Sequence, residues 1–132
     1  MATTFEKLQY KEQPQIVVLN APASFEPELK KLHGVDIRRD LKGIEAISFS
    51  LAFVTTQKEV DTLAKTICKK AQGDAVVWFA YPKGASKKYK SELSRDRGWG
   101  ALGKVGFEIV RAVAIDEDWS GSRFRRVEYV KH

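Results

Sequence analysis

The chain of 132 residues has a single cysteine, Cys68, and two histidines, His33 and His132. One cysteine excludes an intrachain disulfide and any zinc cluster built from several thiolates. Neither histidine stands in a catalytic pattern: His33 adjoins Gly34, and His132 is the last residue. Long apolar runs are missing too. None approaches the ~20 residues that a bilayer-crossing helix needs, and residues 1–12 lack the apolar core of a secretion signal. There is no internal repeat, low-complexity tract or long linker. Glycine-based motifs are also absent: no Walker A loop, no Gly-x-Gly-x-x-Gly, no Gly-x-Ser-x-Gly elbow. These absences point away from an enzyme and call for no metal or cofactor. They predict a cytoplasmic protein with no membrane association.

What remains is an ordinary globular composition, 43% hydrophobic and 30% charged. A chain of this length buries roughly two-thirds of its unfolded surface and needs no covalent staple. The expectation is one α/β domain over residues 1–132, with residues 1–13 loosely ordered.

The charge is unevenly spread. Residues 83–104 hold seven basic residues against two acidic ones, and residues 119–132 hold four against one. Together they account for more than the whole net charge of +6. A segregated field of one sign attracts partners of the other.

Hydrophobic periodicity supplies the elements. Ile16–Leu19 is a continuous apolar run, read as a buried first strand ending at Asn20-Ala21-Pro22. Ser24 offers a cap for a short helix through Phe25, Leu29 and Leu32, stopped by Gly34. Residues 45–54 alternate: Ile47, Phe49, Leu51 and Phe53 face one way, Ser48, Ser50 and Ala52 the other, which predicts an edge strand. Thr56 and Glu59 form a capping box. Val60, Leu63, Ala64, Ile67, Cys68 and Ala71 then make one helical stripe, and Gly73 stops it. Ala75–Tyr81 reads as a central third strand, residues 95–104 as a third helix, and Phe107–Ile115 and Arg123–Val130 as two final strands. Residues 35–37 are either a strand or a loop.

This order predicts a three-layer α/β sandwich with a five-stranded, mostly parallel sheet and about three helices. The strand order expected is 2-1-3-4-5, the last strand antiparallel. Ligands in such sheets bind beyond the strand carboxyl ends where the order reverses. That would lie between strands one and three, at Asn20 and the loop from Pro82 to Lys88.

The loop offers what an anion needs: small residues, a hydroxyl and cations, at Lys83, Ser86 and Lys87. A solvated lysine-rich loop is the alternative. Arg95 and Arg97 could assist from the following helix start, where Trp99 is either a stacking platform or core. In Asp116-Glu117-Asp118-Trp119, adjacent acids point in opposite directions and converge poorly on a cation. Asp116 or Asp118 is better read as closing the turn or pairing with Arg123, with Trp119 packed over the sheet end. Cys68 lies on the buried stripe and reads as inert.

The segments Val17–Pro22, Trp78–Lys83, Leu93–Asp96 with Trp99, and Ala114–Arg125 resemble a bacterial family of uncharacterised domains, domain of unknown function 3052. The resemblance runs from about residue 13 to 126. Tyr81-Pro82-Lys83 and the Trp119-Ser120, Arg123-Phe124 pattern carry it most specifically. It implies a bacterial, cytoplasmic, stand-alone α/β domain and supplies no activity.

The expected function is therefore binding of a small anionic, phosphate-bearing ligand. The expected site comprises Asn20, Lys83, Ser86, Lys87, Arg95, Arg97, Asp116, Trp119 and Arg123. Non-specific nucleic-acid binding and docking of an acidic protein partner are the alternatives.

Overall fold

The computed structural model describes residues 4–11, 13–84, 90–94 and 97–130. Ser86, Lys87 and Arg95 lie outside the described residues. Six strands form one mixed sheet: β1 (Gln15–Leu19), β2 (Asp36–Arg38), β3 (Ile47–Phe53), β4 (Ala71–Pro82), β5 (Phe107–Ala114) and β6 (Trp119–Arg126). The order is β2-β1-β3-β4-β6-β5. The first four strands pair in parallel, while β6 runs antiparallel to both of its neighbours.

Helices α1 (Thr4–Lys7) and α2 (Glu26–Lys30) cover one face of this sheet; α3 (Gln57–Lys70) and α4 (Gly100–Lys104) cover the other. On the first face Phe49, Leu51, Phe53 and Trp78 pack with Phe5, Leu8, Phe25 and Leu29. On the second, Val17, Ala52, Val77 and Phe79 meet Val60, Ala64, Ile67 and Leu102. Each fully buried large side chain stabilises the fold by roughly 1.5–3 kcal/mol. The expected mostly parallel sheet flanked by helices is thus present, with more strands and helices than foreseen.

Several details depart from expectation. The strand expected at an edge, β3, lies between β1 and β4. Ser48 is exposed, but beyond it the second face is dry: Ser50 and Ala52, small enough to sit beneath α3, are fully buried. A register shift between Ile47 and Phe49 also turns Ile47 onto the face opposite Phe49, Leu51 and Phe53. The pair of residues 36 and 37, with Arg38, forms the true edge strand on that side.

The last two strands exchange the expected places. Gly121, Ser122 and Phe124 are buried, so β6 is internal, and β5 with exposed Ile109 and Val110 forms the edge. The arginines of β6 therefore guard no edge. That strand ends at Arg126, before a single 3-10 turn over Val127–Tyr129.

Gly73 does not stop α3. The helix ends at Lys70 and the chain enters β4 at once, with Gly73 inside that strand at φ +53°. Ala71 turns extended at the helix end, and Arg126 braces the junction: its guanidinium donates to the carbonyl of Cys68 in the helix and to those of Ala71 and Gly73 in the strand. The Thr56–Glu59 capping box stands as expected. Ser24 caps nothing; it lies within a 3-10 turn over Ala23–Phe25 that runs into α2. The third helix is shorter than expected, beginning at Gly100. Within the segment expected to be loosely ordered, Phe5 and Leu8 are buried in the core.

Candidate functional site

The chain leaves β1 for β2 on one side and returns to β3 on the other, so the order reverses between β1 and β3. The expected reversal beside the strand ending at Tyr81 is displaced by one strand. Asn20 closes β1 in the left-handed region at φ +59°, which asparagine tolerates better than most residues. Its Nδ2 donates to the Phe53 carbonyl at 3.3 Å, tying the two strand ends together.

Helix α3 starts at this point, and its free N–H groups would ordinarily favour an anion. The protein's own side chains already meet several of them, the Glu59 N–H through the Thr56 hydroxyl at 3.2 Å and others through carboxylates. Glu59 Oε1 accepts from the Thr55 and Thr56 N–H groups at 2.9 and 3.1 Å and from both hydroxyls. Glu92 Oε1 accepts from the Gln57 N–H at 3.1 Å. Partial burial disfavours the Glu59 charge, yet the threonine hydrogen bonds outweigh it and hold the carboxyl below its ordinary pKa.

Lys83, Asp116 and Trp119 come together at the end of β4. The Lys83 N–H donates to the Asp118 carbonyl at 2.8 Å. Asp116 Oδ1 accepts from the N–H groups of Asp118 and Trp119 at 2.8 and 2.9 Å, closing the hairpin turn. The Trp119 ring packs edge-on against Phe53 at 5.1 Å, and Phe53 continues to Phe25 at 5.0 Å. Asp116 and Trp119 are therefore occupied in building the sheet end.

Arg97 lies elsewhere, exposed, its backbone bridged to Ser94. Trp99 packs against Phe79, Tyr81 and Phe124 and donates Nε1 to the Ser94 carbonyl at 2.8 Å, so it is core rather than a platform.

Arg123 belongs to a different group. It stands directly opposite Trp78 on β4 and Arg111 on β5. Opposed residues of an antiparallel ladder share a face, here the face of α1 and α2. Arg123 lies four positions beyond Trp119, roughly 13 Å along the strand. Arg123 Nη1 donates to Gln9 Oε1 at 2.6 Å, and its buried Nε meets no acceptor among the described residues. Gln9 itself is left-handed, at φ +61°, beside Leu8, whose carbonyl accepts from Trp78 Nε1 at 2.7 Å.

Burial lowers the Arg123 pKa, and the Arg125 and Arg111 charges lower it further against the opposing effect of Asp74. Asp74 is gripped by Arg125, Nε to Oδ1 at 2.7 Å, and also feels Lys11. Glu108 stands opposite Arg125 in the ladder. The face thus gathers Lys11, Arg111, Arg123 and Arg125 around Asp74 and Glu108. Sequence reasoning reached only Arg123 of these, although a hairpin centred on Glu117 would by itself set residue 111 opposite 123.

The structure thus distributes the expected residues among separate places: Asn20 at the reversal, Lys83 with Asp116 and Trp119 at the end of β4, Arg97 beyond it, and Arg123 on the arginine face. Among the described residues no group of three or more His, Cys, Asp or Glu side chains could hold a metal. Nor is any helix there long and apolar enough to cross a membrane.

No family model and no curated protein matches the chain. Solved structures do. The ribosomal protein L11 methylase of Lactobacillus delbrueckii subsp. bulgaricus shares 11% identity at TM-score 0.59, over 94% of this chain and 76% of that one. The fibrillarin pre-rRNA processing protein of Methanococcus jannaschii shares 12% at 0.56, over 88% and 67%. A Sulfolobus solfataricus protein assigned as a type 11 methyltransferase shares 10% at 0.54, over 91% and 88%. At these identities the likeness is one of fold alone.

Proposed function

We propose that the chain is a binding module for an anionic ligand and that the Arg111–Arg123 face receives it. One observation carries this reading: two arginines stand directly opposite each other in a ladder, one of them with a buried Nε lacking a partner among the described residues. Like charges so placed repel, and a buried guanidinium N–H without an acceptor is costly. An oxyanion between them relieves both and takes the planar donor fork that arginine presents. Lys11 and Arg125 extend the field.

The earlier expectation centred the ligand on Lys83 and Asn20. Support for that location is weaker, because Glu59 and Glu92 already occupy the helix terminus beside Asn20. The likeness to methyltransferase structures supports the fold and carries no activity to this chain. Kinship with the family of domain of unknown function 3052 remains part of the proposal and rests on the segments quoted above.

Calorimetric titration with inorganic pyrophosphate tests the reading. Pyrophosphate should bind, Arg111→Gln and Arg123→Gln should each weaken it about tenfold, and Lys83→Ala should leave it unchanged. Equal binding by the arginine variants would sink the proposal. Duplex DNA bound with an affinity falling steeply in salt, near 0.9 logarithmic units per phosphate contact, would instead assign the face to nucleic acid.

A further inference from the structure

The arginine face reaches an open sheet edge. Among the described residues β5 borders β6 alone, and no strand there pairs with its outer row of N–H and C=O groups. Natural edges are commonly blunted by lysine, proline or bulges. β5 has one irregularity, between Ile109 and Arg111, and two charged residues, Glu108 and Arg111, but neither lysine nor proline among its eight residues. Ile109 and Val110 are 39% and 38% exposed, and Arg111, Ala112 and Ala114 are exposed as well.

The register identifies which backbone groups are available. The Ile115 N–H donates to the Trp119 carbonyl at 3.0 Å. Hydrogen-bonded pairs alternate along an antiparallel ladder. In the register Ala112↔Ser122 and Ala114↔Ser120, the N–H and C=O of Ala112 and Ala114 therefore turn outward.

A strand added at this edge would project alternate side chains to the two faces. On one face it meets Arg111, with Arg123 and Arg125 behind it; on the other it meets Ala112 and Ala114. Acidic residues suit the first face and apolar ones the second.

We propose that β5 is a docking edge for an extended segment of a partner protein in which acidic and apolar residues alternate, the acids facing Arg111 and Arg123. This rests on the reading of that face as an anion site and names its partner class. Main-chain pairing supplies affinity and the alternation supplies specificity. Glu108, opposite Arg125, sets the register by disfavouring an acid beside itself.

The probe is an eight-residue peptide alternating valine and glutamate, blocked at both ends. Its control has the same composition as four valines followed by four glutamates. The alternating peptide should bind about tenfold tighter than the control. Ala112→Pro removes one outward donor at a position where an edge tolerates proline. It should abolish that preference and leave pyrophosphate affinity intact, with unchanged circular dichroism showing that the variant folds. Arg111→Glu provides the second variant and should weaken the alternating peptide regardless of how Ala112→Pro folds.

Equal binding of the two peptides, or undiminished peptide binding by Arg111→Glu, overturns the inference. So does sedimentation showing that β5 is closed by a second copy that the peptide cannot displace. If pyrophosphate binds while the peptides are not distinguished, only the docking inference fails. If pyrophosphate does not bind, the anion reading itself fails.

Discussion

Arg111 stands directly opposite Arg123 across the last hairpin, and Asp74 is the carboxylate that offsets Arg123 from the far side of β6. Asp74 is in turn held by Arg125, whose hydrogen bonds are the main reason its carboxyl stays below the ordinary pKa. Replacing it should therefore move two observables in opposite directions. Asp74→Asn removes a negative charge from the arginine face, so pyrophosphate should bind more tightly, with a steeper salt dependence. It also loosens the Arg125 clamp, so the melting temperature should fall slightly; the pair is partly exposed and solvent screens it. Titration and melting of the same variant check both, and tighter binding is the decisive sign.

The start of α3 predicts a pH dependence. Glu59 has a folded pKa below its ordinary value of 4.5. A depressed carboxyl adds stability above that ordinary value and loses it as pH falls through the folded one. Glu59→Gln should thus cost about 1 kcal/mol at neutral pH, the scale of a helix cap. The gap between variant and parent should narrow as pH falls below ~4.5, where the unfolded chain's carboxyl protonates first, and close once the folded one does. Urea unfolding at pH 7 and pH 3 measures it; a gap that stays constant would mean the carboxylate charge contributes nothing.

That helix was also the best-read part of the chain. Thr56, Glu59 and the stripe from Val60 to Cys68 are local signals, and local signals survive in a sequence. The sheet order was harder because it depends on which strand neighbours which. The alternation in residues 47–53 looked like an edge, since period 2 reports two unlike faces; it does not reveal that Ser50 and Ala52 are small to fit a helix rather than polar to meet water. The hairpin of β5 and β6 was read correctly as antiparallel, yet nothing local told which arm would meet β4.

The site followed the same division. Asp116 as the turn acceptor and Trp119 over the sheet end were legible from turn chemistry. Lys11, Asp74 and Gln9 join Arg123 only through pairings that span from 49 to more than 100 positions, which no periodicity encodes. Moving the order reversal from β4 to β3 also separated Lys83 from Asn20, the pair on which the expected pocket depended.

Two arginines of β6, three positions apart, should respond differently to removal. Arg126 braces the end of α3 by donating to three backbone carbonyls and lies over the Phe107 ring, 4.9 Å from its centroid. Arg126→Met should cost about 2 kcal/mol, as expected when charge-assisted hydrogen bonds to a helix end are lost. Among the described residues Arg123 bonds Gln9 and leaves its buried Nε without an acceptor. Replacing Arg123 with an apolar side chain of similar length removes the cost of burying an unmatched N–H, against the loss of the one bond to Gln9. Arg123→Met should therefore stay within about 1 kcal/mol of the parent while weakening pyrophosphate binding about tenfold. Denaturation of both variants decides; a loss at Arg123 as large as that at Arg126 would make Arg123 scaffold rather than site.

Cys68 reports on the same helix end from within. Burial pushes its thiol up to about 12, with the Arg126 charge pulling weakly the other way. The thiolate is the reactive form, and at pH 8 only about one molecule in ten thousand carries it at that pKa. Alkylation of the native protein by iodoacetamide at pH 8 should therefore be slow and should proceed through local opening, since the side chain is also buried. Arg126→Met removes donors to the carbonyls of Cys68 and Ala71 and should accelerate alkylation by easing that opening, even though it also removes the positive charge that favours the thiolate. A fall in rate would mean electrostatics governs Cys68; a rise would mean that access does, as its burial predicts.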